Sequence, residues 1–246
     1  MIRTVWFYLM LVVSGFVHAA TVIVAALVGV KRRPGGRGIY DWGTNDWARD
    51  LLDAAGTPVR VEGLERIPRD GPVVYASNHS SMFDIWALAA TLPGSVRFVA
   101  KQELVKIPLV GRAMVLAGHV MIDRPHPRRA VEAYARAGAV IKGGVSAVVF
   151  PEGTRSRTGE LLPFKNAPFG LAIAAQVPVV PVYVHHTFEI LPKGGIRLRP
   201  RPIRILVGEP IATAGMGVDQ RQELRDRVRP AILALKARVD SGPGRR

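Results

Sequence analysis

The sequence predicts an α/β protein: a layered domain with a mixed, largely parallel sheet flanked by helices, preceded by an N-terminal membrane-anchoring helix. Three observations carry that prediction. From residue 58 onward, short β-type runs alternate with helical ones, the pattern of strand–helix crossovers. The first 30 residues are almost wholly apolar and run into a basic cluster. The 246 residues are 48% hydrophobic and 22% charged, enough for one sizeable core and too apolar for disorder.

Taken in order, the first element is the apolar run. Val5 to Val30 is 26 residues without a formal charge, interrupted by Ser14, Gly15, His18 and Thr21, and Lys31-Arg32-Arg33 follow. As a helix it measures roughly 39 Å against about 30 Å of bilayer hydrocarbon, so it is long enough to span with tilt. A cleaved signal peptide is the rival, since Ala19-Ala20 offers small residues. The single Arg3 before the run and its continuation to a basic stop favour a retained anchor. By the positive-inside rule Lys31, Arg32, Arg33 and Arg37 place the rest of the chain on the cytoplasmic face of the cell (inner) membrane, and they offer charge to anionic headgroups. The expected division is an anchor with its basic stop at 1–40 and a domain ending in a C-terminal helix at 41–246.

Trp47, Leu51, Leu52 and Ala55 then recur at helical spacing behind Thr44 or Asn45, which predicts a short helix. It suits a membrane interface or the first core helix. Strands are predicted at 59–62, 72–76, 96–100, 120–122, 146–150, 179–184, 196–199 and 203–207, and helices at 82–91, 127–142, 168–176 and 219–239. Residues 241–246 read as a disordered tail.

Lys plus Arg number 34 against 19 Asp plus Glu, a net charge of +15, and cysteine is absent. The charge calls for an anionic partner: a membrane, a phosphorylated substrate or a nucleic acid. A nucleic-acid site would need aromatic residues interleaved with the basic ones, and no such patch exists, so no nucleic acid is expected. The missing cysteine excludes disulfides, Cys-ligated zinc, iron–sulfur clusters and a thiol nucleophile. There is no Gly-x-Ser-x-Gly elbow, phosphate-binding Gly-x4-Gly-Lys loop, Gly-x-Gly-x-x-Gly or His-Glu-x-x-His, which weighs against serine hydrolases, nucleotide triphosphatases, dinucleotide enzymes and zincins. The histidines lack metal spacing. Adjacent His185 and His186 at a strand end are expected to point to opposite faces. No metal and no cofactor is expected.

What remains is a constellation at predicted strand ends. Ser77-Asn78-His79-Ser80-Ser81-Met82-Phe83-Asp84 follows the second strand. With His79 in the loop and Ser80 or Ser81 capping the next helix, Asp84 in its first turn can reach back to one imidazole nitrogen. Such an Asp fixes the tautomer and leaves the other nitrogen as a general base, with a substrate hydroxyl as nucleophile. Phe150-Pro151-Glu152-Gly153-Thr154-Arg155-Ser156 follows another strand, with Gly153 allowing a sharp turn and Arg155 offering a fork for phosphate. Arg124, after Gly118-His119-Val120-Met121-Ile122-Asp123, and Lys101, before Gln102-Glu103-Leu104, add cations at two more strand ends. Together they point to several cations converging on one anion near His79.

These blocks, in this order and spacing and with Val177-Pro178-Val179-Val180-Pro181-Val182 behind them, resemble the 1-acyl-sn-glycerol-3-phosphate acyltransferases among the glycerophospholipid acyltransferases; the His-x4-Asp motif is their mark. The resemblance covers roughly residues 60–210. It implies transfer of a fatty acyl group from acyl-CoA or acyl carrier protein to the sn-2 hydroxyl of a lysophosphatidate at the membrane. It implies His79 as base, Asp84 as its orienter, Glu152, Gly153, Thr154 and Arg155 as the acceptor site, and Arg155, Arg124 and Lys101 on the phosphate. One block departs: where the family shows Phe-Lys-x-Gly, this chain has Phe164-Lys165-Asn166-Ala167. That leaves room for another lyso-lipid acceptor, while a membrane-anchored lipid-binding protein without catalysis is the reading from a different class.

Overall fold

The computed structural model describes residues 1–33, 38–123 and 126–241; Arg37 and the expected tail from 242 onward lie outside the described residues. Seven strands form one sheet in the order β1-β7-β6-β2-β5-β3-β4: β1 (Val59–Glu62), β2 (Val74–Ser77), β3 (Val96–Lys101), β4 (Val120–Ile122), β5 (Ser146–Val149), β6 (Val179–His185) and β7 (Ile203–Val207). Every neighbouring pair is parallel except β6 with β7. The mixed, largely parallel sheet is therefore as predicted. Buried on both faces, its strands are near-continuous Val, Ala and Ile, because each residue faces one helical layer or the other.

Helices α1 (Ile2–Leu27), α2 (Ile39–Ala55) and α3 (Phe83–Thr91) cover one face, where Phe7, Leu51, Phe83 and Trp86 pack on Tyr75, Val148 and Val182. The other face is covered by α5 (Pro127–Lys142), α6 (Phe169–Ala175) and α8 (Arg221–Asp240), with Tyr134, Leu171, Val228 and Ile232 on Val74 and Val149. A short α4 (Val110–Ala117) joins β3 to β4, and the one-turn α7 (Thr187–Ile190) follows β6.

α1 is long and apolar enough to cross a membrane, yet one side of it is packed on the domain. Phe7 is completely buried, its ring 5.5 Å from Phe83 and 5.6 Å from Trp86. Burial of one Phe contributes about 1.5–3 kcal/mol. Further along, Gly15 lies against the Trp47 indole, His18 stacks on Trp42 at 4.3 Å, and Val22 fits over Gly43. Ala19, Val22 and Ile23 finish the contact against Ala113 and Ala117 of α4. The opposite side, Val5, Trp6, Leu9, Val12, Val13, Phe16 and Val17, is exposed.

The sequence reading did not foresee α4 and α7, and two of the elements it expected come out differently. The helix predicted behind Thr44 or Asn45 begins at Ile39, because Asp41 returns to cap the Gly38 N–H at 3.0 Å. Its Leu51, Leu52 and Ala55 are buried, so it is a core helix. Asp41 also meets buried Arg97 at 2.6 Å and the Ser95 hydroxyl at 2.5 Å, which pins α2 to β3. The strand predicted at 196–199 does not form. β7, the next strand in the chain, is already paired on both edges with β6 and β1; the Leu198 N–H goes to the Thr4 hydroxyl and the Arg199 N–H to the Ile190 carbonyl, and Pro200 and Pro202 have none to donate.

Candidate active site

β2, β3, β4, β5 and β6 deliver their C-terminal ends to one edge, while β7 and β1 run the other way, and β2 lies between β5 and β6 where the connections diverge to either side. That crevice is the usual ligand position in open α/β sheets. At its floor, Asn78 clasps β6: its amide donates to the Val184 carbonyl at 2.9 Å and its oxygen accepts the Val184 N–H at 2.7 Å. The turn that follows is thereby fixed against the neighbouring strand.

His79 Nδ1 lies 2.9 Å from Asp84 Oδ2. An ionised carboxylate only accepts, so Nδ1 carries the proton and Nε2 is the basic nitrogen. Asp84 is fully buried and saturated: the same Oδ2 accepts the Ser80 and Ser81 N–H groups at 2.7 and 2.8 Å, and the Thr187 hydroxyl donates to Oδ1. The Ser80 hydroxyl in turn meets Thr187 at 3.1 Å. Asp84 ties down the Ser80 and Ser81 amides ahead of α3, and the Ser81 hydroxyl accepts the Phe83 N–H at its start at 3.3 Å. The His79 ring stacks on Phe150 at 4.0 Å and 18°.

Glu152 is buried and turned inward. Its Oε1 accepts the His79 N–H at 2.6 Å and its Oε2 the Leu162 N–H at 2.8 Å, while the Ser156 N–H donates to the His79 carbonyl at 2.8 Å. The block after β5 thus grips His79 by its backbone on both sides. Burial pushes the Glu152 carboxyl up to about 7, against the two N–H groups that favour its charge. A raised acid holds its proton more tightly in the native state than in the unfolded chain. Its stabilisation is present in full below about pH 4.5 and fades as pH rises through about 7, a change of about 3 kcal/mol. In Glu152→Gln that slope is expected to vanish, since Gln does not titrate, and stability should fall because one amide oxygen cannot accept both N–H groups. Thermal unfolding in detergent from pH 4 to 8 checks it, and an unchanged slope in the variant rejects it.

Of the remaining predicted residues, Gly153 turns the chain at φ +72, and a Cβ there would press on the Lys165 side chain at 3.0 Å. Thr154 is exposed and its hydroxyl accepts from Lys193 Nζ at 2.9 Å. Arg155 is half-buried and makes no ion pair or hydrogen bond among the described residues. Lys101 ends β3 on the same edge, exposed and paired with Glu103 at 2.9 Å; no bond joins it to His79 or Arg155 among the described residues. Arg124 lies outside the described residues.

Sequence reasoning missed Thr187 and Lys193. Thr187 is 103 residues from Asp84 and belongs to no local pattern. It is aimed by His186, which sits at φ +72 and ends β6 with a sharp turn. The same turn corrects a second expectation: the His185 and His186 rings face each other at 3.8 Å instead of pointing to opposite faces. Ala167, where the family has Gly, carries no strain, since the positive-φ non-glycine residues described are Leu109, Gln176 and His186.

Fold and site together define an α/β protein with a buried His–Asp pair whose Nε2 is suited to activating a hydroxyl. The family model described as Acyltransferase matches residues 58–185, and the chain belongs to that family. It is 38% identical over 166 residues to the 1-acyl-sn-glycerol-3-phosphate acyltransferase of Cocos nucifera, covering 67% of this chain and 53% of that protein. The alpha form of Homo sapiens is 35% identical over 181 residues, 73% of this chain and 64% of its own length. The chain thus spans about half to two thirds of the curated relatives it matches. The crystal structure of the 1-acyl-sn-glycerophosphate acyltransferase PlsC from Thermotoga maritima superposes with a TM-score of 0.77 at 28% identity, over 96% of this chain and 95% of that one. The family resemblance drawn from the sequence blocks holds.

Proposed function

We propose that this protein is a membrane-bound O-acyltransferase that moves a fatty acyl group from acyl-CoA or acyl carrier protein to the sn-2 hydroxyl of 1-acyl-glycerol-3-phosphate, giving phosphatidic acid for phospholipid synthesis. The His79–Asp84 pair, saturated and buried on a chain of this family, carries the reading; the names of the relatives support the substrate. His79 Nε2 takes the proton of the lipid hydroxyl as its oxygen attacks the thioester carbonyl. The C–S bond then breaks, and the departing thiolate takes that proton from the imidazolium. No acyl-enzyme forms and no cofactor enters. The N–H groups of His79, Ser80 and Ser81 are consumed by Glu152 and Asp84, so the oxyanion must find its donors elsewhere.

Arg155, unpaired among the described residues beside the Gly153 turn, supports a phosphate-bearing acceptor, with Thr154, Arg124 and Lys101 as further contacts. Acyl transfer by the purified protein, with both donors and a panel of lyso-lipids, tests the assignment. Lysophosphatidate should be the best acceptor. Arg155→Ala should raise its KM about tenfold or more and leave kcat nearly unchanged, as for loss of uniform binding. An unchanged KM removes Arg155 from the phosphate site, and no transfer to any acceptor leaves the non-catalytic reading.

For location, we place the protein at the inner cell membrane with its catalytic domain on the cytoplasmic face. α1 lies in the interface in this reading and does not span. Both of its ends touch the domain, Phe7 at the α3 core and Ile23 beside α4, whereas a crossing helix would hold one end roughly 39 Å away across the bilayer. Its exposed apolar side would sit among the acyl chains, and residues 31–33 on anionic headgroups.

A further inference from the structure

One surface element combines unpaired charge, an exposed apolar side chain and a bond to the active-site turn. Residues 191–202, Leu-Pro-Lys-Gly-Gly-Ile-Arg-Leu-Arg-Pro-Arg-Pro, contain four cations and no acid. Where a strand was predicted, none forms, and Leu198 turns into the core while Arg197, Arg199 and Arg201 stay exposed. None of the three arginines has an ion pair among the described residues. Ile196 is 77% exposed at the head of this run.

The segment is fastened to the first turns of α1. The Tyr8 hydroxyl donates to the Ile196 carbonyl at 3.1 Å, and the Leu198 N–H to the Thr4 hydroxyl at 3.3 Å. It is fastened to the site as well, through Lys193 on Thr154 at 2.9 Å. Ile196 therefore continues the exposed apolar side of α1, and its arginines stand at the end of that helix opposite Lys31, Arg32 and Arg33.

We infer that residues 193–201 are a second docking surface for an anionic phospholipid bilayer. Ile196 enters the interface and Arg197, Arg199 and Arg201 bind headgroup phosphates. The inference rests on the reading of α1 as lying in the interface. Two basic clusters roughly 39 Å apart, one at each end of α1, then hold the helix flat. Through Lys193 they turn the Gly153–Arg155 loop toward the surface that supplies the acceptor. A water-facing role for the arginines would leave Ile196 exposed for no gain.

The absence of native cysteine makes the test direct. Ile196→Cys, Val13→Cys on the outer side of α1, and Leu233→Cys on α8 across the sheet are each labelled with an environment-sensitive fluorophore. They are mixed with phosphatidylcholine vesicles with and without phosphatidylglycerol. The labels at 196 and 13 should brighten and shift to the blue on the anionic vesicles, and the label at 233 should not. In parallel, the Arg197→Gln/Arg199→Gln/Arg201→Gln variant should bind those vesicles about 100-fold more weakly, with a shallower salt dependence. Its kcat on detergent-dispersed acceptor should match the unsubstituted protein, which shows that it folds. A silent label at 196 beside a responding one at 13 overturns the second surface and leaves the α1 reading standing. Silence at both overturns the two together, and a response at 233 overturns the oriented docking.

Discussion

Purified His79→Ala is expected to transfer acyl groups about 10²–10⁴-fold more slowly than the unsubstituted protein, with little change in the KM of either substrate. The magnitude follows from removing a positioned general base while the surfaces that hold the substrates stay in place. The fold should survive, because what anchors this loop is the backbone of residue 79, not its ring. The N–H is held by Glu152 and the carbonyl by the Ser156 N–H, and alanine keeps both. Loss of the stack on Phe150 and of the bond to Asp84 should lower the unfolding temperature modestly. Initial rates in detergent with either donor give the result. Near-normal turnover at an unchanged KM would remove His79 from the chemistry and leave it a loop residue that only caps.

Where the sequence was legible, and where it was not, follows from the range over which each interaction acts. Strands such as Val179–His185 and Ile203–Val207 announce themselves through their own apolar runs. The His-x4-Asp spacing is equally local, and a loop histidine with an aspartate in the first turn permits only a few geometries. The strand expected at 196–199 failed for a reason outside its own residues: the Leu198 N–H is taken by the Thr4 hydroxyl and the Arg199 N–H by the Ile190 carbonyl. Glu152 shows the same limit at the site. The family resemblance implied a place for it in the acceptor site. The His79 N–H that claims its carboxylate lies 73 residues away. α1 is the plainest case: its hydropathy is that of a bilayer-crossing helix, and only the fold shows Phe7 packed beneath Phe83 and Trp86.

Asp84→Asn and Thr187→Val should separate charge from support. In Asp84→Asn an amide oxygen takes the place of Oδ2, so the bonds to Ser80, Ser81 and His79 persist. The new amide nitrogen faces Thr187, whose hydroxyl can accept as readily as it donates. Asp84→Asn should therefore keep its unfolding temperature within a few degrees. Its kcat should fall on the order of 10²–10⁴-fold, because the imidazolium formed during transfer loses the negative charge beside it. Thr187→Val does the reverse. The charge stays, but Oδ1 loses its donor at a site with no exposure, an unmet bond costing about 1–3 kcal/mol. Stability should drop by about that much. The carboxylate, free to rotate away from His79, should lower kcat about tenfold with KM preserved, and Thr187→Ser should restore both. If Thr187→Val lost stability but kept full kcat, Thr187 would be a packing residue. If Asp84→Asn kept its turnover, the buried charge would play no part in transfer, and the base would need only the tautomer that an amide oxygen also fixes.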